Sequence, residues 1–105
     1  MGRILVVEDE QRIASFVGGA LKARGWAVDM VAEGKTALKL VETRDYDLVL
    51  MDLVMPGLHG VELLQRILQA RPHQRTMVLS AQAEPRVKVE CLEAGAVDYL
   101  TKPFS

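Results

Sequence analysis

Leu48-Val49-Leu50-Met51-Asp52-Leu53-Val54-Met55-Pro56-Gly57 joins an apolar run to an acid and a Pro-Gly turn. Four apolar residues in a row read as a buried strand, here over 47–51. A continuously apolar strand suits a parallel sheet covered on both faces. Asp52 follows at once, so the strand delivers a carboxylate to the mouth of the sheet, where α/β folds bind ligands. Two other segments deliver matching chemistry. Ile4-Leu5-Val6-Val7 runs into Glu8-Asp9, and Val97-Asp98-Tyr99-Leu100 runs into Thr101-Lys102-Pro103. Three acids and a lysine at strand ends are costly to gather unless they serve a site.

On either side of this stretch, strand and helix patterns alternate along the chain. Residues 3–7 form an apolar strand. Ile13, Phe16, Val17, Ala20 and Leu21 repeat at helical spacing, and Gly25 stops that helix. A short strand covers 26–31, and a helix over 34–43 turns Ala37, Leu38 and Val41 inward. After the strand at 47–51, Val61, Leu64, Ile67 and Leu68 mark a third helix closed by Pro72. A fourth strand covers 75–79. Val87, Cys91, Leu92 and Ala94 mark a fourth helix ending at Gly95, and a fifth strand covers 97–101. The alternation and the right-handed crossover rule select an α/β fold: a doubly wound, five-stranded parallel sheet of order 2-1-3-4-5. Strands one and three are then neighbours at the switch point, so Glu8-Asp9 and Asp52 meet there. No helix follows the fifth strand before Ser105, so one side of that strand is expected to be poorly covered.

Length and composition bound the function. The 105 residues suffice for one domain, which buries roughly 65% of its unfolded surface. Half the residues are hydrophobic, 26% are charged and the formal net charge is −1. That balance offers no basic footprint for nucleic acid and no membrane attraction. No apolar run approaches the ~20 residues of a spanning helix. No signal peptide is read at Met1-Gly2-Arg3, and Val6 stands where a myristoylation signal wants Ser or Thr. Cys91 is the only cysteine, so an internal disulfide is excluded and a cytoplasmic location is expected. Cys91 itself reads as a small buried hydrophobe. His59 and His73 fall in loops without partnered ligands.

Clustered carboxylates repel, and a divalent cation is the simplest remedy. Mg²⁺ takes carboxylate, water and phosphate oxygens. An acidic pocket neutralised in this way can accept a phosphoryl group. Asp52 could then act as nucleophile and form an aspartyl phosphate, with Lys102 and the Ser80 hydroxyl facing the transferring group. Plainer readings stand beside this one. Asp52 could be a turn residue before Pro56-Gly57. Glu8 or Asp9 could cap the first helix. Ser80 could cap or turn, Lys102 could be a solvated charge, and Tyr99 could simply pack.

The chain resembles the receiver domains of two-component response regulators. The matching segments are Leu5-Val6-Val7-Glu8-Asp9-Glu10, residues 47–57 with Gly60, Leu79-Ser80-Ala81, and residues 95–104 from Gly95 to Phe104. Each piece alone is common; all four in order, each after a strand, are specific, and together they cover the whole chain. The resemblance implies a flavodoxin-like fold and a phosphorylation-controlled signalling switch. Asp52 would accept phosphate from a sensor histidine kinase. Glu8, Asp9, Asp52 and the backbone carbonyl of Val54 would surround Mg²⁺, with Glu8 acting through water. Ser80 would close on the phosphoryl oxygen, Lys102 would pair with it, and Tyr99 would follow Ser80 as the switch aromatic. The Lys102-Pro103 bond would be cis. Val54 and Gln82 would tune dephosphorylation.

The same resemblance implies an effector domain or dimer partner on the helix 4–strand 5 face, where Lys88 and Asp98 fit. Val97 departs from the acid common at its position. DNA would be reached only through a domain outside this chain. The expectation is the receiver part, 1–105, of a winged-helix transcriptional regulator, cut before its fifth helix. Such a domain is no metabolic enzyme and catalyses only its own phosphorylation and dephosphorylation. A phosphatase with an aspartyl intermediate would want an acid at Val54. A flavin or nucleotide binder would want a Gly- or Ser-rich loop in place of Glu8-Asp9-Glu10. A phosphorylation-independent module would have lost some of the acids, Ser80 or Lys102.

Overall fold

Aliphatic runs too short to make helices of useful length pair side by side and bury both faces. In the computed structural model, which describes residues 2–53, 60–80 and 85–101, β1 (Arg3–Val7) lies between β2 (Ala27–Val31) and β3 (Leu48–Asp52). β4 (Thr76–Ser80) and β5 (Asp98–Thr101) complete a parallel sheet of order β2-β1-β3-β4-β5. The connecting helices are α1 (Gln11–Ala23), α2 (Gly34–Thr43), α3 (Gly60–Ala70) and α4 (Pro85–Ala94). The expected fold class and strand order both hold. Gly25 (φ 94°) and Gly95 (φ 119°) take the left-handed conformation that ends α1 and α4, a geometry that side chains with a Cβ resist.

Alternation along the strands divides the core in two. Leu5, Val7, Val49, Met51, Val78 and Tyr99 join Ala37 and Val41 of α2, Leu63, Leu64 and Ile67 of α3, and Cys91 of α4 in one cluster. Ile4, Val6, Leu50 and Leu79 form a smaller cluster with Val17 and Leu21 of α1, Trp26 and Val28. Each large side chain fully buried here contributes roughly 1.5–3 kcal/mol. Leu100 of β5 is 41% exposed, whereas Tyr99, on the other face of that strand, is buried.

Two details differ from the sequence reading. β3 and β4 each start and end one residue later than read, so Asp52 and Ser80 are the last strand residues rather than the residues after. Backbone pairing causes this: Asp52 lies opposite Leu79, and Ser80 opposite Thr101. Polar side chains do not interrupt a ladder made of main-chain groups. In α1 the apolar stripe is shifted. Ala14 and Gly18 are buried, whereas Phe16 is 66% exposed. The helix rests on the sheet along Ala14, Val17, Gly18 and Leu21, which leaves Phe16 outside the contact stripe.

The lower edge of the sheet fixes the register that the upper edge uses. Arg3 donates its backbone N–H to the Asp47 carboxylate at 2.8 Å, and Asp47 returns its own N–H to the Arg3 carbonyl at 2.9 Å. Asp29 of β2 accepts the Tyr46 hydroxyl at 2.6 Å. It also accepts guanidinium bonds from Arg3 at 3.2 Å and Arg44 at 3.1 Å. These bonds hold the α2–β3 connection against β1 and β2. The Tyr46 hydrogen bond, reinforced by the two guanidinium groups, lowers the Asp29 pKa. Burial, with the same carboxylate beside it, pushes the Tyr46 phenol up to about 12.

A depressed carboxyl pKa gives stability that is present above the ordinary value of 3.8 and is lost as pH falls through the native value. Urea midpoints followed from pH 7 to pH 2 should therefore show a shallower acid decline in Asp29→Asn than in the wild type. The Tyr46 sign is opposite: its contribution is complete below pH 10 and fades toward the raised value of about 12, so Tyr46→Phe should flatten the alkaline limb. A second measurement concerns α1, where Gly19 is exposed and a Cβ there meets nothing within 4 Å. Gly19→Ala should raise unfolding free energy by about 0.5–1 kcal/mol. Gly18→Ala should gain less or lose, because its Cβ would lie 2.6 Å from Met30 Sδ.

Candidate functional site

The site follows from where two parallel strands stop. β1 and β3 pair in register from Ile4 with Leu48 to Val7 with Met51. The next residue on each strand is an acid, Glu8 and Asp52, and Asp9 follows Glu8. One carboxylate oxygen from each of Glu8, Asp9 and Asp52 lies within 4.8 Å of the others. Glu8 is 5% and Asp52 7% exposed, while Asp9 is open to solvent. Two unit charges at that separation repel by roughly 3–4 kcal/mol at an effective dielectric of about 20. A divalent cation among these oxygens would offset that repulsion.

The loop after β1 is held from two sides. Glu8 donates its backbone N–H to the Val31 carbonyl at 2.9 Å, tying the loop to β2. Its carboxylate accepts the Glu10 N–H at 3.2 Å. Glu10, not Glu8 or Asp9, is the N-cap residue of α1, and its own side chain makes no capping bond. The capping reading of Glu8 and Asp9 therefore gives way to one in which Glu8 braces the loop and the acids face one another. The orienting role of the Glu10 N–H left no trace in the sequence, because every non-proline residue carries that group.

The donor set is all hard oxygen, the chemistry that Mg²⁺ and Ca²⁺ prefer. Two oxygens bound to one Mg²⁺ at 2.0–2.1 Å can stand no more than about 4.2 Å apart. Three carboxylates within 4.8 Å of one another fit such an ion after a small side-chain adjustment or through one water.

Ser80 ends β4, the strand beside β3, and is fully buried. Tyr99 of β5 lies opposite Val78 of β4, is 4% exposed and belongs to the main core cluster with Cys91. The structure thus brings Glu8, Asp9 and Asp52 together, and it sets Ser80 and Tyr99 on the successive strands β4 and β5. Val54, Gln82, Lys102 and Pro103 lie outside the described residues. An open cavity of about 280 Å³ adjoins the acids on the α1 side and is bordered by Glu8, Asp9, Gln11, Ser15 and Met30. Sequence reasoning gave no role to that flank, since Met30 bears no motif. Among the described residues no helix is long and apolar enough to cross a membrane.

Known proteins share both the sequence and the geometry. Residues 4–105 match the response regulator receiver domain. The transcriptional regulatory protein CutR of Streptomyces coelicolor is 41% identical over 103 residues, which are 98% of this chain and 48% of that protein. The chain thus spans about half the length of the curated relatives it matches. A Francisella response regulator receiver domain superposes with a TM-score of 0.91 at 36% identity, covering 98% of this chain and 85% of that one. The receiver domain of the sensor histidine kinase PA1611 from Pseudomonas aeruginosa was solved with a magnesium ion coordinated in its active-site cleft. It gives a TM-score of 0.88 at 33% identity, covering 98% of this chain and 86% of that one. A sheet of order 2-1-3-4-5 with three acids at its switch point, matched along nearly the whole sequence, places the chain in the response regulator receiver domain family.

Proposed function

We propose that this chain is a phosphorylation-controlled switch in which Asp52 accepts a phosphoryl group from a sensor histidine kinase. The convergence of Glu8, Asp9 and Asp52 within 4.8 Å carries the reading, and membership of the receiver family supports it. Mg²⁺ held by Glu8, Asp9, Asp52 and the Val54 carbonyl would supply the positive charge that lets an anionic phosphoryl group enter an acidic pocket. An Asp52 carboxylate oxygen forms the new bond to phosphorus as the donor's P–N bond breaks, and the electron pair leaves with the imidazole nitrogen. The Ser80 hydroxyl and the Lys102 ammonium meet the charge that builds on the phosphoryl oxygens. Glu8, braced by the Glu10 N–H, keeps the loop after β1 in place while the pocket fills.

The phosphoryl group adds roughly −1.5 to −2 charge. Ser80 and Lys102 move toward it, Tyr99 follows, and the α4–β5 face changes its fit to an effector domain or a dimer partner. The relatives are transcriptional regulators, so the output proposed is control of transcription through a DNA-binding domain beyond this chain. The setting proposed is the cytoplasm, where such kinases present their phosphohistidine. Residues 1–105 form the receiver part of that longer protein.

Intact-mass measurement with acetyl phosphate tests the chemistry. A gain of about 80 Da, one phosphoryl group, should require Mg²⁺ and vanish in Asp52→Asn; no adduct with any donor would overturn the assignment. Val54 presents no polar group to an attacking water, which implies a long-lived phosphoryl group. Val54→Asn should shorten the half-life of the isolated adduct, followed by its decay on a phosphate-affinity gel, and an unchanged or longer half-life would remove Val54 from the tuning role.

A further inference from the structure

We propose that Met30 is a peroxide-reactive modification site whose sulfoxide loosens the packing of α1 on β2 beside the acidic cluster. Among the described methionines Met51 is fully buried and Met77 partly so, whereas Met30 is 44% exposed. Met30 sits on the edge strand β2, opposite Val6 and on the same sheet face as Val28, beneath α1. Its thioether lies directly on the backbone of Gly18. A Cβ built there would fall 2.6 Å from Sδ and 3.6 Å from both Cγ and Cε. The other flank of the side chain borders the open cavity of about 280 Å³ that it shares with Glu8, Asp9, Gln11 and Ser15. A small oxidant in solvent can reach it by that route.

The chemistry balances with hydrogen peroxide as the oxidant. A sulfur lone pair attacks one peroxide oxygen, the O–O bond breaks, and an S–O bond forms. The sulfur is oxidised by two electrons, and the second oxygen leaves as water after a proton shift. The product is a bulkier, polar group with a strong acceptor oxygen. The Gly18 side has no room for a further atom, and the cavity side, where the new oxygen would go, is bordered by Glu8 and Asp9. The strain is relieved by lifting α1 from β2, and α1 begins directly after the loop that holds Glu8 and Asp9. None of these steps requires Asp52 to be phosphorylated.

Graded hydrogen peroxide treatment of the whole chain, followed by peptide mapping, tests it. Met30 should gain about 16 Da, one oxygen, ahead of Met51 and Met77, the other described methionines. The singly oxidised protein should melt roughly 4–8 °C lower, exchange the amides of α1 faster, and recover both properties on treatment with methionine sulfoxide reductases A and B. Met30→Leu should keep its melting temperature through the same treatment. Oxidation of Met30 no faster than Met51, a sulfoxide with unchanged melting and exchange, or an equal peroxide-induced loss in Met30→Leu would each overturn the proposal.

Discussion

The parallel register of β1 and β3 is the constraint on which the site depends. Because Val7 lies opposite Met51, the next residue on each strand emerges at the same edge, and both are acids. Their proximity is unfavourable in itself. It is sustained because Glu8 directly follows, and Asp52 ends, a strand whose apolar residues are buried on both faces. A shift of register by one residue would turn every one of those side chains to the wrong layer. The hydrophobic core holds the negative charges together, and a cation would relieve what the core imposes.

The same division of labour runs from top to bottom of the sheet. At the lower edge, charges are paired: Asp29 with Tyr46, Arg3 and Arg44, and Asp47 with the Arg3 amide. At the upper edge, the three acids face one another. Stabilising contacts collect where the chain enters its strands, and the chemically reactive groups collect where it leaves them. This polarity belongs to parallel sheets, whose strands all end on one side. The lower network lies at the opposite end of the strands from the acids, and it ties the residue before β3 to the start of β1.

Much of the fold and part of the site are legible in the order of residues alone. Apolar runs of four or five residues, separated by helical repeats and stopped by Gly25 and Gly95, define five strands and four helices because burial periodicity is a local property of the chain. The acids, Ser80 and Tyr99 are legible as residues at or beside strand ends. Phe16 is not legible as a surface residue. Its spacing fits the helix period, and only the way α1 rests on the sheet decides which flank of that stripe meets solvent. Met30 carries no motif either, and its closeness to Gly18 and to the acids joins three separate segments.

By itself, then, the sequence determined the alternation of elements, the buried strands and the identity of the acids at their ends. Each of these depends on residue types within a few positions of one another. The tertiary structure decided the rest: that Glu8, Asp9 and Asp52 fall within 4.8 Å, that the Glu10 amide braces Glu8, that Asp29 gathers its partners from two other segments, and that Met30 lies against Gly18. Those relations join residues distant along the chain. They exist only once backbone hydrogen bonding has locked the strands into one register and the helices have settled on the two faces.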